Sequence, residues 1–228
     1  MNAADVAGKM HKIEASDGHQ LDCFVVSAQG AKRGGLVILQ EIFGVTDQLK
    51  GVARHYAGQG FDVAIPALFD RKRREAVIPF NEAETGREIM MSLNVADNLR
   101  DVEAAIKLLG DEGKAALIGF CWGGGLALKC AQEMAVAGAV AFYGTRLKQF
   151  MDKPLKAPML FHFGSNDDHS PPDLIAAIKE TFPAAETYAY DAGHAFANDA
   201  RPALYVEDAA TLAHERTKAF LDGALPAR

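Results

Sequence analysis

The sequence predicts an α/β protein, a mostly parallel central sheet covered by helices on both faces and entered through an antiparallel N-terminal hairpin. Three observations carry this expectation. Short β-branched or apolar runs alternate with amphipathic stretches, the signature of strands joined by crossover helices. Those stretches are long enough to cross back over a sheet. A polar turn, Ser16-Asp17-Gly18-His19, separates two extended segments near the start.

In chain order, Lys12 to Ala15 and Leu21 to Ala28 form the hairpin around that turn. Buried strands are expected at Leu36 to Gln40, Phe61 to Ile65, Ala115 to Phe120, Ala139 to Tyr143, Met159 to Phe163 and Thr187 to Tyr190. Helical patterns fill Asp47 to Gln59, Ala96 to Leu109, Gly124 to Met134, Asp173 to Glu180 and Ala203 to Phe220. Pro66 to Leu93 opens as a charged loop with an irregular helix signal, suited to a lid, a wall or a surface excursion.

The 228 residues, 49% of them hydrophobic, can bury a sizeable core, and the absence of repeats or linkers points to one domain over 1–228. A net charge of −6 gives no basic field for nucleic acid; the run Arg71 to Arg74 fits a solvated loop with one functional arginine. Met1 to Lys12 lacks a signal-peptide apolar stretch and no run reaches membrane length, so the expectation is a soluble cytoplasmic protein with no membrane partner. Three cysteines without CxxC or Cys/His spacing fit neither a disulfide framework nor a metal site.

The sharpest local signal is the apolar strand from Lys114 that runs into Gly119-Phe-Cys-Trp-Gly123 and then a helix. Gly-x-Cys-x-Gly at a strand-to-helix turn is a nucleophile elbow with cysteine in place of serine. The turn needs strained backbone and glycines where β-carbons would collide, and it leaves a thiol at a helix N-terminus, which favours the thiolate. The Trp122 N–H points at the oxyanion of an attacked carbonyl. The competing assignments are a phosphate loop, for which neither glycine-rich fingerprint is present, and a small buried cysteine used only for packing. Cys23 and Cys130 lack the elbow context and fit packing roles.

Two further strand ends carry chemistry. Asp167 and Asp168 follow Met159 to Phe163, and Gly193-His194 follows the last strand. The order nucleophile, carboxylate, histidine is that of α/β-hydrolases. His194 then serves as base, oriented by Asp167 or Asp168; His162, inside an apolar strand, and His169, with no strand end of its own, are weaker candidates.

The chain resembles the dienelactone hydrolases (carboxymethylenebutenolidases) over nearly its whole length, most specifically in Gln40-Glu-Ile-Phe-Gly-Val45, Gly119-Phe-Cys-Trp-Gly-Gly124, Phe142-Tyr-Gly144 and Gly193-His-Ala-Phe196. The resemblance implies Cys121 as nucleophile, His194 as base and Asp167 as acid, since the family aspartate stands four residues before a proline, here Pro171. It implies that Glu41 helps activate the thiol and that the Ile42 N–H is the second oxyanion donor. Arg71 is implied as a clamp for a substrate carboxylate, with Phe43, Tyr143 and Phe196 as further substrate contacts. One departure stands out: a second family arginine, four residues after the histidine, is Asn198 here, with Arg201 three residues later.

The expected activity is hydrolysis of a small ester or lactone, with or without a carboxylate, dienelactone to maleylacetate being the family reaction. No metal or organic cofactor is expected, and the chain is expected to act as a monomer or weak homodimer. Other small esters, a thiol-redox protein and a non-hydrolytic carboxylate binder are the alternatives on the same fold.

Overall fold

The computed structural model describes residues 7–110 and 115–226. Residues 1–6 of the N-terminal segment and Lys114, at the head of the elbow motif, lie outside the described residues. The chain forms a mixed α/β fold that divides between Ala115 and Ala116 into two compact units.

In the first unit, β1 (Lys9–Glu14) and β2 (Gln20–Val26) form the expected antiparallel hairpin, with Met10 opposite Phe24 and Ile13 opposite Leu21. β2 also pairs antiparallel with β4 (Phe61–Pro66), and β4 pairs parallel with β3 (Gly34–Leu39). Every residue of β3 is buried, as expected for a strand covered on both faces. α1 (Asp47–Ala57) is capped by Thr46, whose side chain accepts from the Leu49 N–H, and buries Leu49, Ala53, Tyr56 and Ala57 along one stripe. α3 (Val95–Leu108) is capped by the Asn94 side chain and packs on β1, β3 and β4.

The segment between β4 and α3 is built into this unit. A 3-10 turn over Leu68–Arg71 leads to α2 (Ala83–Met91). Gly44 bridges Val77, the Phe80 ring meets Phe43 edge-on at 4.9 Å, and Gly86 lies so close to Ile42 that a β-carbon would stand 1.9 Å from the Ile42 carbonyl oxygen. Residues 77–86 thus pack against the loop after β3.

The second unit holds four parallel strands in spatial order: β5 (Ala115–Phe120), β6 (Gly138–Phe142), β7 (Met159–Gly164) and β8 (Glu186–Tyr190). All residues of β5, β6 and β7 are buried, and burial of each Leu or Ile side chain contributes about 1.5–3 kcal/mol. α4 (Trp122–Glu133), α5 (Pro172–Thr181) and α6 (Glu207–Ala224) complete it. α6 packs on β6 and β7 and buries Ala210, Ala213, Thr217 and Leu221 on successive turns.

Two helix starts differ from the sequence expectation. α4 begins at Trp122, two residues before the expected Gly124, and its glycines are set by close packing against neighbouring backbone. α6 begins at Glu207, because residues 199–205 are held in turns by Leu204 and Tyr205 N–H bonds to the Arg201 carbonyl. Among the described residues no helix is long and apolar enough to cross a membrane, and no group of three or more His, Cys, Asp or Glu is placed to hold a metal ion.

Candidate active site

β5 delivers Cys121 to the start of α4 in a conformation, φ 53° and ψ −115°, that a residue with a β-carbon adopts only under constraint. Such strain costs about 1–3 kcal/mol and persists where the surroundings over-determine it. Here the Cys121 N–H donates to the Phe142 carbonyl, and the Cys121 carbonyl accepts from Gly124 and Thr145, all at 3.0 Å. The glycines explain themselves by distance. A β-carbon on Gly119 would lie 1.9 Å from the Gly123 carbonyl oxygen, and one on Gly124 2.7 Å from the Gly144 α-carbon. Trp122, next in the chain, places its N–H in the first turn of α4, at the positive end of the helix dipole.

The acid and the base hang from adjacent strands. Beyond β7 and β8 the chain stays zipped: Ser165 N–H donates to Tyr190 O at 2.7 Å, Asn166 N–H to Ala192 O at 3.0 Å, and the Asn166 side-chain amide to Asp191 at 2.9 Å. A β-carbon on Gly164 would stand 2.4 Å from Ala192 O. This pairing sets Asp167 opposite His194, whose Nδ1–H donates to Oδ2 at 2.8 Å. The other carboxylate oxygen of Asp167 accepts from the His169 N–H at 2.8 Å. Asp167 is buried, whereas Asp168 is exposed.

The Cys121 thiol acts on the same His194 imidazole. Burial alone would lower its proton affinity; the bond to Asp167 and the influence of the Cys121 thiol, with the charges of both, win and raise it from 6.5 to about 10. Its ring meets Tyr143 edge-on at 5.2 Å and His169 at 4.7 Å. Tyr143 and Ala195 join Cys121 at positive φ, 38° and 61°, so three strained non-glycine residues lie in or beside this cluster. Phe196 is fully buried between Tyr143 and Tyr190. The second unit thus brings together Cys121, Asp167, His194, Tyr143 and Phe196.

Asn198 is buried, and its side-chain oxygen accepts from the Ala200 N–H at 3.2 Å, so it folds its own turn. Arg201 lies in that turn, its N–H on the Asn198 carbonyl.

The candidates of the first unit sit around the end of β3 and the 3-10 turn. Glu41 and Phe43 are buried, and the Phe43 carbonyl accepts from Ile78. Gln40 bridges the two segments, its side chain donating to the Glu41 carbonyl and accepting from the Leu68 N–H. Arg71 is already engaged by carboxylates of its own chain. Its Nε and Nη2 donate to fully buried Asp101 at 2.7 and 2.8 Å, and its Nη1 and Nη2 to Asp17 at 2.9 and 3.2 Å. Arg71 holds the Asp17 carboxyl down at about 2, while burial pushes Asp101 up against the same guanidinium. Both bidentate edges of the guanidinium are therefore used internally.

A family model described as the dienelactone hydrolase family matches residues 21–225. The chain belongs to the dienelactone hydrolase family. Carboxymethylenebutenolidases of Pseudomonas putida and Pseudomonas knackmussii are each 33% identical to it over 222 residues, 92% of this chain and 94% of each relative. The crystal structure of a candidate dienelactone hydrolase from Klebsiella pneumoniae superposes with a TM-score of 0.80 at 25% identity, covering 93% of this chain and 98% of the other. A dienelactone hydrolase-like promiscuous phosphotriesterase from metagenomic libraries shares the fold at a TM-score of 0.76 and 19% identity, over 96% of this chain and 99% of that one. As a member of the dienelactone hydrolase family, the chain has the α/β-hydrolase fold and is a hydrolase of ester or lactone bonds.

For this dienelactone hydrolase relative, sequence reasoning ranked one group next to the cluster, His169, as a weaker candidate and passed over another, Thr145. His169 packs on His194, yet nothing in its neighbours distinguishes it from a solvated loop histidine. Thr145, whose N–H holds the Cys121 carbonyl, acts through backbone and leaves no side-chain signal.

Proposed function

We propose that this chain hydrolyses small carboxylic esters or lactones through a thioester on Cys121, with His194 as base and Asp167 as its orienting acid. The observation that carries the proposal is the 2.8 Å bond from His194 Nδ1 to Asp167, on an imidazole whose proton affinity Cys121 also raises. In this mechanism the imidazole takes the thiol proton and the thiolate attacks the carbonyl carbon. The developing oxyanion accepts from the Trp122 N–H and, as the family resemblance implies, from the Ile42 N–H. As the tetrahedral centre collapses, the C–O bond breaks and His194 returns its proton to the leaving alkoxide, which in a lactone stays attached. Water, deprotonated by His194, then attacks the thioester; the thiol is restored and the acid released. The raised proton affinity of His194 suits this cycle, because it favours the imidazolium beside a thiolate.

All these steps use side chains and backbone, so the mechanism runs without metal or organic cofactor. Glu41 acts as a second activator of the thiol, and Phe43, Tyr143 and Phe196 shape the acyl pocket. Dienelactone, opening to maleylacetate, is the first substrate to try. Its carboxylate, or that of any acidic ester, competes with Asp17 for Arg71, so an acidic group is not required of the substrate. Arg201 is a second, separate candidate for such a contact. The proposal takes 1–228 as one catalytic domain, a monomer or weak homodimer, in a cytoplasm whose reducing conditions keep the thiol free.

The test is hydrolysis of dienelactone and of small neutral esters by wild type and Cys121→Ala, with mass spectrometry of quenched reactions. An acyl adduct on Cys121 and loss of turnover in the variant are expected. An undiminished rate in Cys121→Ala overturns the assignment, and sulfenic acid on Cys121 with no ester turnover points to the thiol-redox alternative.

A further inference from the structure

His162 is the buried imidazole that the proposed cycle does not use. It lies inside β7 with no solvent exposure, its Nδ1 2.8 Å from the Tyr190 hydroxyl and its Nε2 2.9 Å from the Thr217 hydroxyl. The first partner is the last residue of β8 and the second is on α6, so one side chain joins three elements. Its own carbonyl accepts from the Tyr143 N–H at 2.7 Å. Each connection leads towards His194. Tyr190 precedes His194 by four residues and packs against Phe196 at 5.2 Å; Phe196 packs on Tyr143 at 5.3 Å, and Tyr143 meets the His194 ring. The Tyr190 carbonyl is also one end of the zipper that holds the Asp167 loop.

We propose that His162 is a positioning residue for His194, an imidazole clamped between Thr217 and Tyr190 that fixes the root of the loop carrying the base. The inference rests on the function proposed above for His194. Burial, with the nearby charges of His214 and Arg216, pushes His162 down to about 3, so it stays neutral across the working range. A neutral imidazole carries one N–H and one acceptor nitrogen, and a hydroxyl serves either role, so the bridge is complete without any change of charge. The surroundings keep it in place: Phe142 lies 4.6 Å away on one side, and the Arg216 guanidinium covers the Tyr188 ring at 4.0 Å and the Tyr190 ring at 5.4 Å.

His162 is enclosed too tightly for its own replacement to be informative, so its hydroxyl partners provide the test. Tyr190→Phe and Thr217→Val each remove one bond with little change of volume, and Thr217→Ser keeps the hydroxyl. The full-length proteins, labelled at histidine, are titrated by NMR, and kcat and KM are measured with p-nitrophenyl acetate across pH. In Tyr190→Phe and Thr217→Val the His194 midpoint is expected to fall by about one pH unit as its bonds loosen. In the same variants kcat falls by about tenfold with KM little changed, and Thr217→Ser recovers both. Folded variants that keep the wild-type His194 midpoint overturn the inference, whether or not kcat drops. If wild type hydrolyses no ester, the functional proposal fails separately, and the NMR midpoints still decide the role of His162.

Discussion

Asp17, on the turn of the N-terminal hairpin, closes the outer edge of the Arg71 guanidinium, with Nη1 to Oδ2 at 2.9 Å. Asp17→Asn removes the charge on that edge while Asp101 keeps the inner one. The ratio of kcat/KM for an acidic ester to that for its neutral counterpart is expected to rise by about threefold to tenfold, in line with one charge-assisted bond. An unchanged ratio would exclude Arg71 from substrate recognition.

Asp101 gives Arg71 a structural role that can be measured without a substrate. In Arg71→Met the buried carboxylate loses its counter-charge, and chemical denaturation should show a loss of about 3 kcal/mol at neutral pH. The folded-state proton affinity of Asp101 then lies well above its unfolded value. The folded form binds the extra proton, so the variant should regain stability as pH is lowered towards 5. A deficit independent of pH would point to lost packing instead.

His194 sets a pH window of its own. Its folded value is raised from 6.5 to about 10, so its contribution to stability is complete below pH 6.5 and is lost as pH rises through 10. Urea midpoints of wild type and His194→Gln should differ most at pH 6 and converge by about pH 10. Cys121→Ala removes one of the groups responsible and should shift the convergence to lower pH.

Asp167→Asn retains size but offers an amide to the Nδ1–H of His194, so the ring adopts the wrong tautomer or turns. With p-nitrophenyl acetate kcat should fall roughly a thousandfold with KM within about threefold. Circular dichroism should remain that of wild type.

Gly119→Ala tests the elbow directly. The new methyl meets the Gly123 carbonyl at 1.9 Å, and overpacking of this kind costs about 1–3 kcal/mol. Activity should drop by more than the loss of folded protein explains, since Cys121 must leave its strained φ.

The strands and most helices were legible because burial on two faces imposes a continuous apolar pattern, as in Leu36 to Leu39 and Ala115 to Phe120. Cys121, His194 and the pair Asp167 and Asp168 were legible because the fold confines such groups to strand ends in a set order; the family resemblance, not the order, chose Asp167. Arg71 shows the limit. A motif identifies the residue, but its two carboxylate partners come from 54 positions before it and 30 after it, and no local pattern announces them. His162 was discounted because an apolar strand conceals the hydroxyls that meet it from β8 and α6. The expected start of α4 at Gly124 falls two residues late, because the helix begins directly after the Cys121 turn at Trp122.

The backbone ladder that continues past β7 and β8 into the Asp167 and His194 loops constrains their length far more than their composition. The separation of acid and base is measured out by peptide units, like teeth on two meshed racks. Side-chain replacement at exposed Ser165 leaves the gauge untouched, whereas insertion of one residue into either loop displaces an entire partner by about 3.3 Å, beyond the reach of any hydrogen bond. Such loops can change their surface chemistry freely while tolerating almost no change in length.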